Sequence, residues 1–214
     1  PEFAWVTGTP TAAGSFEVTL GVESGNGQSA TRAVTFTVIY LVDAVTLSDT
    51  SLTFVSLGDT TRITATVKDQ DGDSIPDATV TWATSDTTKA TVSSTGLVTA
   101  VAKGTATITA TASGGANKTA SVTVDQVTDS ITLSPTSLSF ASLGDTATLT
   151  PTVKDAAGSV ISDAPVTWSS SDASVATVSS AGLVTSVANG TATITATSGS
   201  VSATASVTIL QVAS

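Results

Sequence analysis

The stretch ATVSSTGLVTAVAKGTATITAT occupies residues 90–111, and ATVSSAGLVTSVANGTATITAT occupies residues 176–197, an offset of 176 − 90 = 86. Within it Ala106, Ile108 and Ala110 alternate with Thr105, Thr107 and Thr109. Successive side chains of an extended strand point to opposite faces, so apolar residues on one phase of a two-residue period predict a strand buried on one side. Ile63, Ala65 and Val67 alternate in the same way with Thr64, Thr66 and Lys68.

The same offset runs outward from this block. AVTLSDTSLTFVSLGD from Ala44 returns as SITLSPTSLSFASLGD from Ser130, Val67-Lys68-Asp69 as Val153-Lys154-Asp155, and VTW ending at Trp82 as VTW ending at Trp168. Near the end TASVTV at Thr119 matches TASVTI at Thr204, an offset of 204 − 119 = 85. One residue is therefore lost in a loop, where a deletion leaves the faces of the flanking strands unchanged. Turn signals separate the alternating runs: Gly58-Asp59, Asp71-Gly72-Asp73, Thr95-Gly96, Lys103-Gly104 and Gly114-Gly115, with Gly144, Gly158, Gly182, Gly190 and Gly199 in the second copy. About seven short strands in a unit of roughly 85 residues predict a two-layer sandwich. Thr, Val and Ser fill the windows where a helix would need a 3.6-residue apolar stripe, so no helix of any length is expected.

Composition narrows the chemistry. The 214 residues include no Cys, His or Met, which removes thiolate and imidazole metal ligands, the commonest general base and every disulfide. Each domain must hold by core packing alone. The lack of Cys does not exclude an extracellular setting, because disulfides are permitted there and not required. A chain without Met that begins at Pro1 reads as an excerpt or a processed product. The formal charge of −10, from seven basic and seventeen acidic residues, repels nucleic acid phosphates and anionic lipid headgroups, so neither is expected as a partner. No apolar run has the length needed to cross a bilayer, and no membrane insertion is expected.

The VTW strands at 80–82 and 166–168, the SSSD-like turn that follows, and the ATV-SS-x-GLVT-x-V-x-x-GTATITAT block resemble the group 2 bacterial immunoglobulin-like domains found in surface adhesins of the invasin and intimin kind. The resemblance covers residues 44–214 and implies an all-β chain of tandem immunoglobulin-like β-sandwiches. It implies a module and not an activity. Residues 1–42 lie outside the repeat but alternate too: Phe16, Val18, Leu20, Val22, then Val34, Phe36, Val38, Tyr40, around Gly25-Asn26-Gly27. TGTPTAAGSFEVTLGV from Thr7 resembles the closing half of another bacterial immunoglobulin-like type, found in cadherin-like surface proteins. The expected division is an incomplete domain at 1–42 carrying C-terminal strands only, a domain at 43–129 and a domain at 130–214, with tight linkers around Leu41–Ala44 and Asp125–Ser130. A hairpin cannot bury both sides of a sandwich. Its missing strands come either from the same polypeptide or from another subunit by strand complementation.

Few residues invite a chemical role. Asp69, Asp71, Asp73 and Asp77 form the densest acidic cluster and place oxygen ligands at alternate positions, as calcium would need. Against this, Gly72 is at the fourth position of the loop, and the second repeat keeps only Asp155 and Asp163. A polar turn accounts for the pattern. Trp82 and Trp168 share the strand phase of Val80 and Val166 and are expected as core anchors rather than sugar platforms. The Thr rows 105–111 and 191–197 read as solvated strand faces, not as an ice-binding lattice, because sandwich sheets twist. Lys68 and Lys154 recur, but neither has a recurring Asn for an isopeptide bond, so they are expected in surface pairings with Asp69 and Asp155. Asn117 and Asn189 head glycosylation sequons that arise easily in a Thr-rich chain. No local motif supplies a base for the many hydroxyls.

No catalytic residue and no cofactor is therefore expected. The expected function is an extracellular or cell-surface structural and adhesive protein, a stalk or filament shaft whose partners are neighbouring immunoglobulin-like domains or subunits of the same protein, with a possible cell-surface or glycan ligand. The alternative is a spacer or glycan-binding accessory module of a secreted enzyme. Gln126 leads directly into the next domain, and the same step after Gln211 points to a cut or processing point.

Overall fold

The computed structural model describes residues 14–23, 25 and 27–211. Trp5, residues 7–13 of the N-terminal motif, Asn26 and the tail beyond Gln211 lie outside the described residues. Among the described residues all twenty elements are strands, and no helix is long and apolar enough to cross a membrane. The chain divides into two compact units, one holding the N-terminal hairpin with Ala65–Thr81 and Ala110–Lys118, the other Leu47–Thr64, Trp82–Thr109 and the chain from Thr119 onward.

The hairpin consists of β1 (Gly14–Glu23) and β2 (Ser29–Val38), an antiparallel pair in which Phe16 faces Phe36 and Val18 faces Val34. Among the described residues it is a two-stranded sheet. Phe16 and Phe36 remain 44% exposed.

The first repeat contains β3 (Val42–Leu47), β4 (Ser51–Phe54), β5 (Thr60–Arg62), β6 (Ala65–Asp69), β7 (Val80–Thr84), β8 (Ala90–Val92), β9 (Leu97–Ala100), β10 (Gly104–Ala112) and β11 (Asn117–Val124). The second contains β12 (Ser130–Ser134), β13 (Ser137–Phe140), β14 (Thr146–Thr148), β15 (Thr150–Lys154), β16 (Thr167–Ser170), β17 (Ala176–Val178), β18 (Leu183–Ser186), β19 (Gly190–Ser198) and β20 (Val201–Ile209). The sheets correspond one to one: β4-β11-β10-β7 with β13-β20-β19-β16, β3-β6 with β12-β15, and β5-β9-β8 with β14-β18-β17. β3 begins at Val42, inside the expected linker at Leu41–Ala44.

Nine strands per repeat replace the expected seven because two strands change sheets part-way. The opening strand pairs antiparallel as β12 with β15, then parallel as β13 with β20. The next strand breaks at Leu149 in the second repeat and at Ile63 in the first, both fully buried. At each break the ladder is interrupted, yet the backbone stays satisfied: Ile63 N–H donates to the Gly96 carbonyl and Leu149 N–H to the Gly182 carbonyl, each at 2.9 Å. A buried amide left unpaired there would cost about 1–3 kcal/mol.

The alternation read from the sequence sets the core. β10 buries Ala106, Ile108, Ala110 and Ala112, and β19 buries Ala192, Ile194, Ala196 and Ser198. Thr105, Thr107, Thr191 and Thr193 are exposed, whereas Thr109, Thr111, Thr195 and Thr197 are half-buried. Each fully buried Ile or Val contributes roughly 1.5–3 kcal/mol relative to an exposed one.

Trp82 and Trp168 are half-buried and pack against the margins of the two cores. Each ring lies over the turn glycine of the S-S-x-G-L motif. Ser93 Oγ accepts the N–H groups of Thr95 and Leu97, and Ser179 Oγ those of Ala181 and Leu183, which folds the turn back on itself. Gly182 has φ +78°, and a Cβ there would stand 2.5 Å from the Leu149 carbonyl oxygen and 2.9 Å from Trp168 Cζ2. Gly96 is placed alike, its Cβ position 2.2 Å from the Ile63 carbonyl oxygen. Gly144 also has positive φ, but a Cβ there meets nothing within 4 Å. Gly182→Ala is therefore expected to destabilise the second repeat by about 2–3 kcal/mol and Gly144→Ala by about 1 kcal/mol, read as urea midpoints. Equal losses would show that the tryptophan and the strand break do not constrain the turn.

Candidate functional site: the junction between the repeats

The connection between β11 and β12 is short, and each of its residues is tied down. Asp125 N–H donates to the Phe54 carbonyl at 2.9 Å and Val127 N–H to the Val55 carbonyl at 3.0 Å, holding the linker to the first repeat. Asp129 N–H donates to the Lys154 carbonyl at 2.9 Å, and the Thr128 and Ser198 hydroxyls lie 3.1 Å apart, holding it to the second. Gln126 reaches between them.

Its target is Asp155, 1% exposed. The carboxylate ends β15 and shapes the following turn: Oδ1 accepts the N–H groups of Ala157 (3.1 Å) and Ser159 (2.9 Å). Oδ2 turns the other way and accepts Gln126 Nε2 at 3.1 Å and the Leu57 backbone N–H, in the first repeat, at 3.0 Å. A buried carboxylate persists only where such donors replace its water. Burial works to raise the Asp155 pKa, but the hydrogen bonds from Gln126, Leu57, Ser159 and Ala157 outweigh it and hold the group below its ordinary value. At the rim Lys103 Nζ meets Asp163 Oδ2 at 2.9 Å with both side chains largely exposed, so this pair orients the repeats more than it binds them.

The sequence profile of the bacterial Ig-like domain (group 2) family matches residues 41–124 and 127–209, one per repeat. The chain belongs to that family. None of the curated proteins matches the sequence. Among solved structures, the chain is similar to domains 4 and 5 of the S-layer protein SbsC, with 26% identity over 79% of this chain and 98% of that one, at a TM-score of 0.39. It is similar to SbsC domains 1–6 with 23% identity over 94% of this chain and 36% of that one, TM-score 0.40. It is similar to extracellular cadherin domains 3–6 of protocadherin gamma B2 with 15% identity over 94% and 59%, TM-score 0.40.

The group 2 repeats share the turn that carries the acidic cluster, but use it differently. Asp69 repeats the inner half of the Asp155 arrangement, with Oδ1 accepting the N–H groups of Asp71 (3.1 Å) and Asp73 (2.9 Å). Asp71, Asp73 and Asp77 are exposed, and among the described residues no three acidic groups gather to hold a metal ion. Lys154 is exposed, yet the acid beside it is not its surface partner as the sequence suggested: Asp155 is withdrawn into the junction because the first repeat supplies better donors. Asn117 is exposed and donates from Nδ2 to the Gly115 carbonyl, while Asn189 Oδ1 accepts the Gln211 N–H at 2.7 Å. Sequence reasoning missed the role of Asp155. Its available signal was that, of the first repeat's four clustered acids, the position of Asp69 recurs together with the glycine three residues on.

A carboxyl held low in the folded protein contributes stability that is present above its unfolded value and lost as pH falls through the folded value. The junction is therefore expected to hold at neutral pH and to release below the ordinary aspartate range. With no native Cys, spin labels on Thr105→Cys and Thr191→Cys report it: one narrow distance at pH 7 that broadens in acid. Asp155→Asn, which points an amide NH₂ at two donors, is expected to broaden the distribution at every pH. A distribution indifferent to both changes would remove Asp155 from the junction.

Proposed function

We propose that this chain is part of an extracellular stalk or fibre shaft, in which group 2 domains hold a fixed spacing from a cell surface. The observation that carries the reading is the linker of residues 125–129, bonded at every position and locked through Asp155. A chain that served only to tether would gain nothing from a buried carboxylate shared across two domains, because a flexible linker needs no such contacts. The role is mechanical and adhesive, not catalytic, and the acidic exterior keeps the array from associating unselectively.

The hairpin fits the same role. Its cross-strand Phe16–Phe36 pair is open to solvent, and completing that layer requires strands from the same polypeptide or from another subunit. If another subunit supplies them, the chain associates with rising concentration in sedimentation velocity, and Phe36→Asp abolishes the association. A monomer at all concentrations assigns completion to the same polypeptide.

Antibodies raised against the chain are expected to label intact, unpermeabilised source cells, with electron microscopy showing projections of regular axial spacing. Release of the polypeptide into the medium fused to a catalytic domain would replace the stalk with the accessory-module reading.

A further inference from the structure

The loop of the first repeat that receives Asp155 has a counterpart in the second repeat that, among the described residues, receives no such carboxylate. β4 and β11 run parallel and end together, as do β13 and β20. Beyond them the backbone is the same in both copies. Gly58 N–H donates to the Ala100 carbonyl and Ala100 N–H to the Asp59 carbonyl, each at 2.9 Å. Gly144 and Ser186, then Ser186 and Asp145, repeat both bonds at the same length. Asp125 N–H bonds the Phe54 carbonyl at 2.9 Å, and Leu210 N–H bonds the Phe140 carbonyl at 3.1 Å.

Two side-chain bonds differ within the loop, Ser56 N–H donating to Asp59 Oδ2 in the first repeat and Ser186 Oγ to the Ser142 carbonyl in the second, and the cover differs as well. Ser56 is 2% exposed and Leu57 half-buried in the first repeat, whereas Ser142 is exposed and Leu143 is 44% exposed in the second. Among the described residues Leu143 N–H, the counterpart of the Leu57 donor, has no acceptor. Gln211, the counterpart of Gln126, is exposed. Where the first repeat has Asp125, the second has Leu210, 68% exposed.

We infer that this end of the second repeat is a preformed docking face for a further immunoglobulin-like domain bearing an Asp-x-x-Gly turn, which enters as the Asp155 turn enters the first repeat. The face offers two donors and an exposed apolar margin. It therefore takes a partner that brings one preset carboxylate and few other charges. Such a turn need not be shaped by contact: Asp69 holds its Oδ1 on two backbone N–H groups and, among the described residues, has no hydrogen bond at Oδ2. The docking deepens the stalk reading and rests on it for its purpose, since a shaft requires the same joint at each step. Asn189 stands where Lys103 paired with Asp163, so this joint lacks the rim ion pair and depends on the carboxylate and on Leu143 and Leu210.

The test extends the full chain after Gln211 with a second copy of its own residues 127–211. The Leu143 amide is expected to exchange hydrogen at least about tenfold more slowly than in the unextended chain, and spin labels on the second and third repeats are expected to give one narrow distance. Changing the added copy's counterpart of Asp155 to Ala is expected to return the Leu143 amide to its original exchange and to broaden the distance, with the unfolding transition of the added copy showing that it remains folded. Asn189→Lys is expected to narrow the distance further by restoring the rim pair. Unchanged Leu143 exchange with a broad distance in the extended chain overturns the docking face. It would leave the stalk reading standing as a jointed array, which only the cell-labelling result decides.

Discussion

A carboxylate removed from water must find its hydrogen bonds in protein, and Asp155 finds them in two repeats at once. The inner oxygen closes the turn after β15 on Ala157 and Ser159, which fixes where the outer oxygen points. The outer oxygen then accepts Leu57 and Gln126. One side chain thereby couples the local shape of a turn to the placement of the preceding domain. Either set of donors alone would leave the group under-solvated, and the charge would carry a penalty that no surface ion pair could offset. The linker is consequently not an independent spacer. Its peptide groups are divided between Phe54 and Val55 on one side and Lys154 on the other, and its conformation follows from the two domains it joins.

Inside each repeat the corresponding constraint is the turn glycine under the tryptophan. The second strand of each repeat must leave one sheet for another at a buried residue, Ile63 or Leu149, and its amide is met there by the carbonyl of Gly96 or Gly182. That approach is too close for any Cβ. The recurrence of Trp, Ser-Ser, Gly and Leu at fixed spacing thus describes one packed object assembled from three segments of the chain. The indole covers the turn, the serine hydroxyl folds it, and the glycine lets the crossing strand touch it.

How much of this was legible follows from the range of the forces involved. The alternation of Ala106, Ile108 and Ala110 with threonine is a property of neighbouring residues, and it placed the long central strands and their buried face correctly. The sheet changes at Ile63 and Leu149 left no mark in the pattern, because a buried apolar residue suits either sheet and neither position is flanked by Gly. The Pro135 that follows β12 does mark the other crossing, by withholding an N–H from the ladder, but its counterpart Asp49 does not. Asp155 was hardest to read. Its burial depends on a backbone N–H 98 residues away, and in sequence it is one more aspartate before a turn glycine. The expectation that the hairpin is one part of a larger domain rests on counting, since two alternating runs cannot form two layers.

The differences between two nearly identical repeats are as informative as their likeness. Asp71 and Asp73 in the first turn become Ala157 and Ser159 in the second, while Asp69 and Gly72 persist as Asp155 and Gly158. At the changed positions the turn uses backbone groups only, the N–H of each and the carbonyl of Asp73 or Ser159 that accepts the Asp69 or Asp155 N–H, so their side chains are free to vary. The retained pair is the one whose chemistry cannot be replaced: an acceptor for two amides, and a residue at φ near +82° that turns them toward it. The pattern of change follows the hydrogen bonds of a turn, and in the second repeat the outer oxygen of the retained aspartate is shared with the preceding domain.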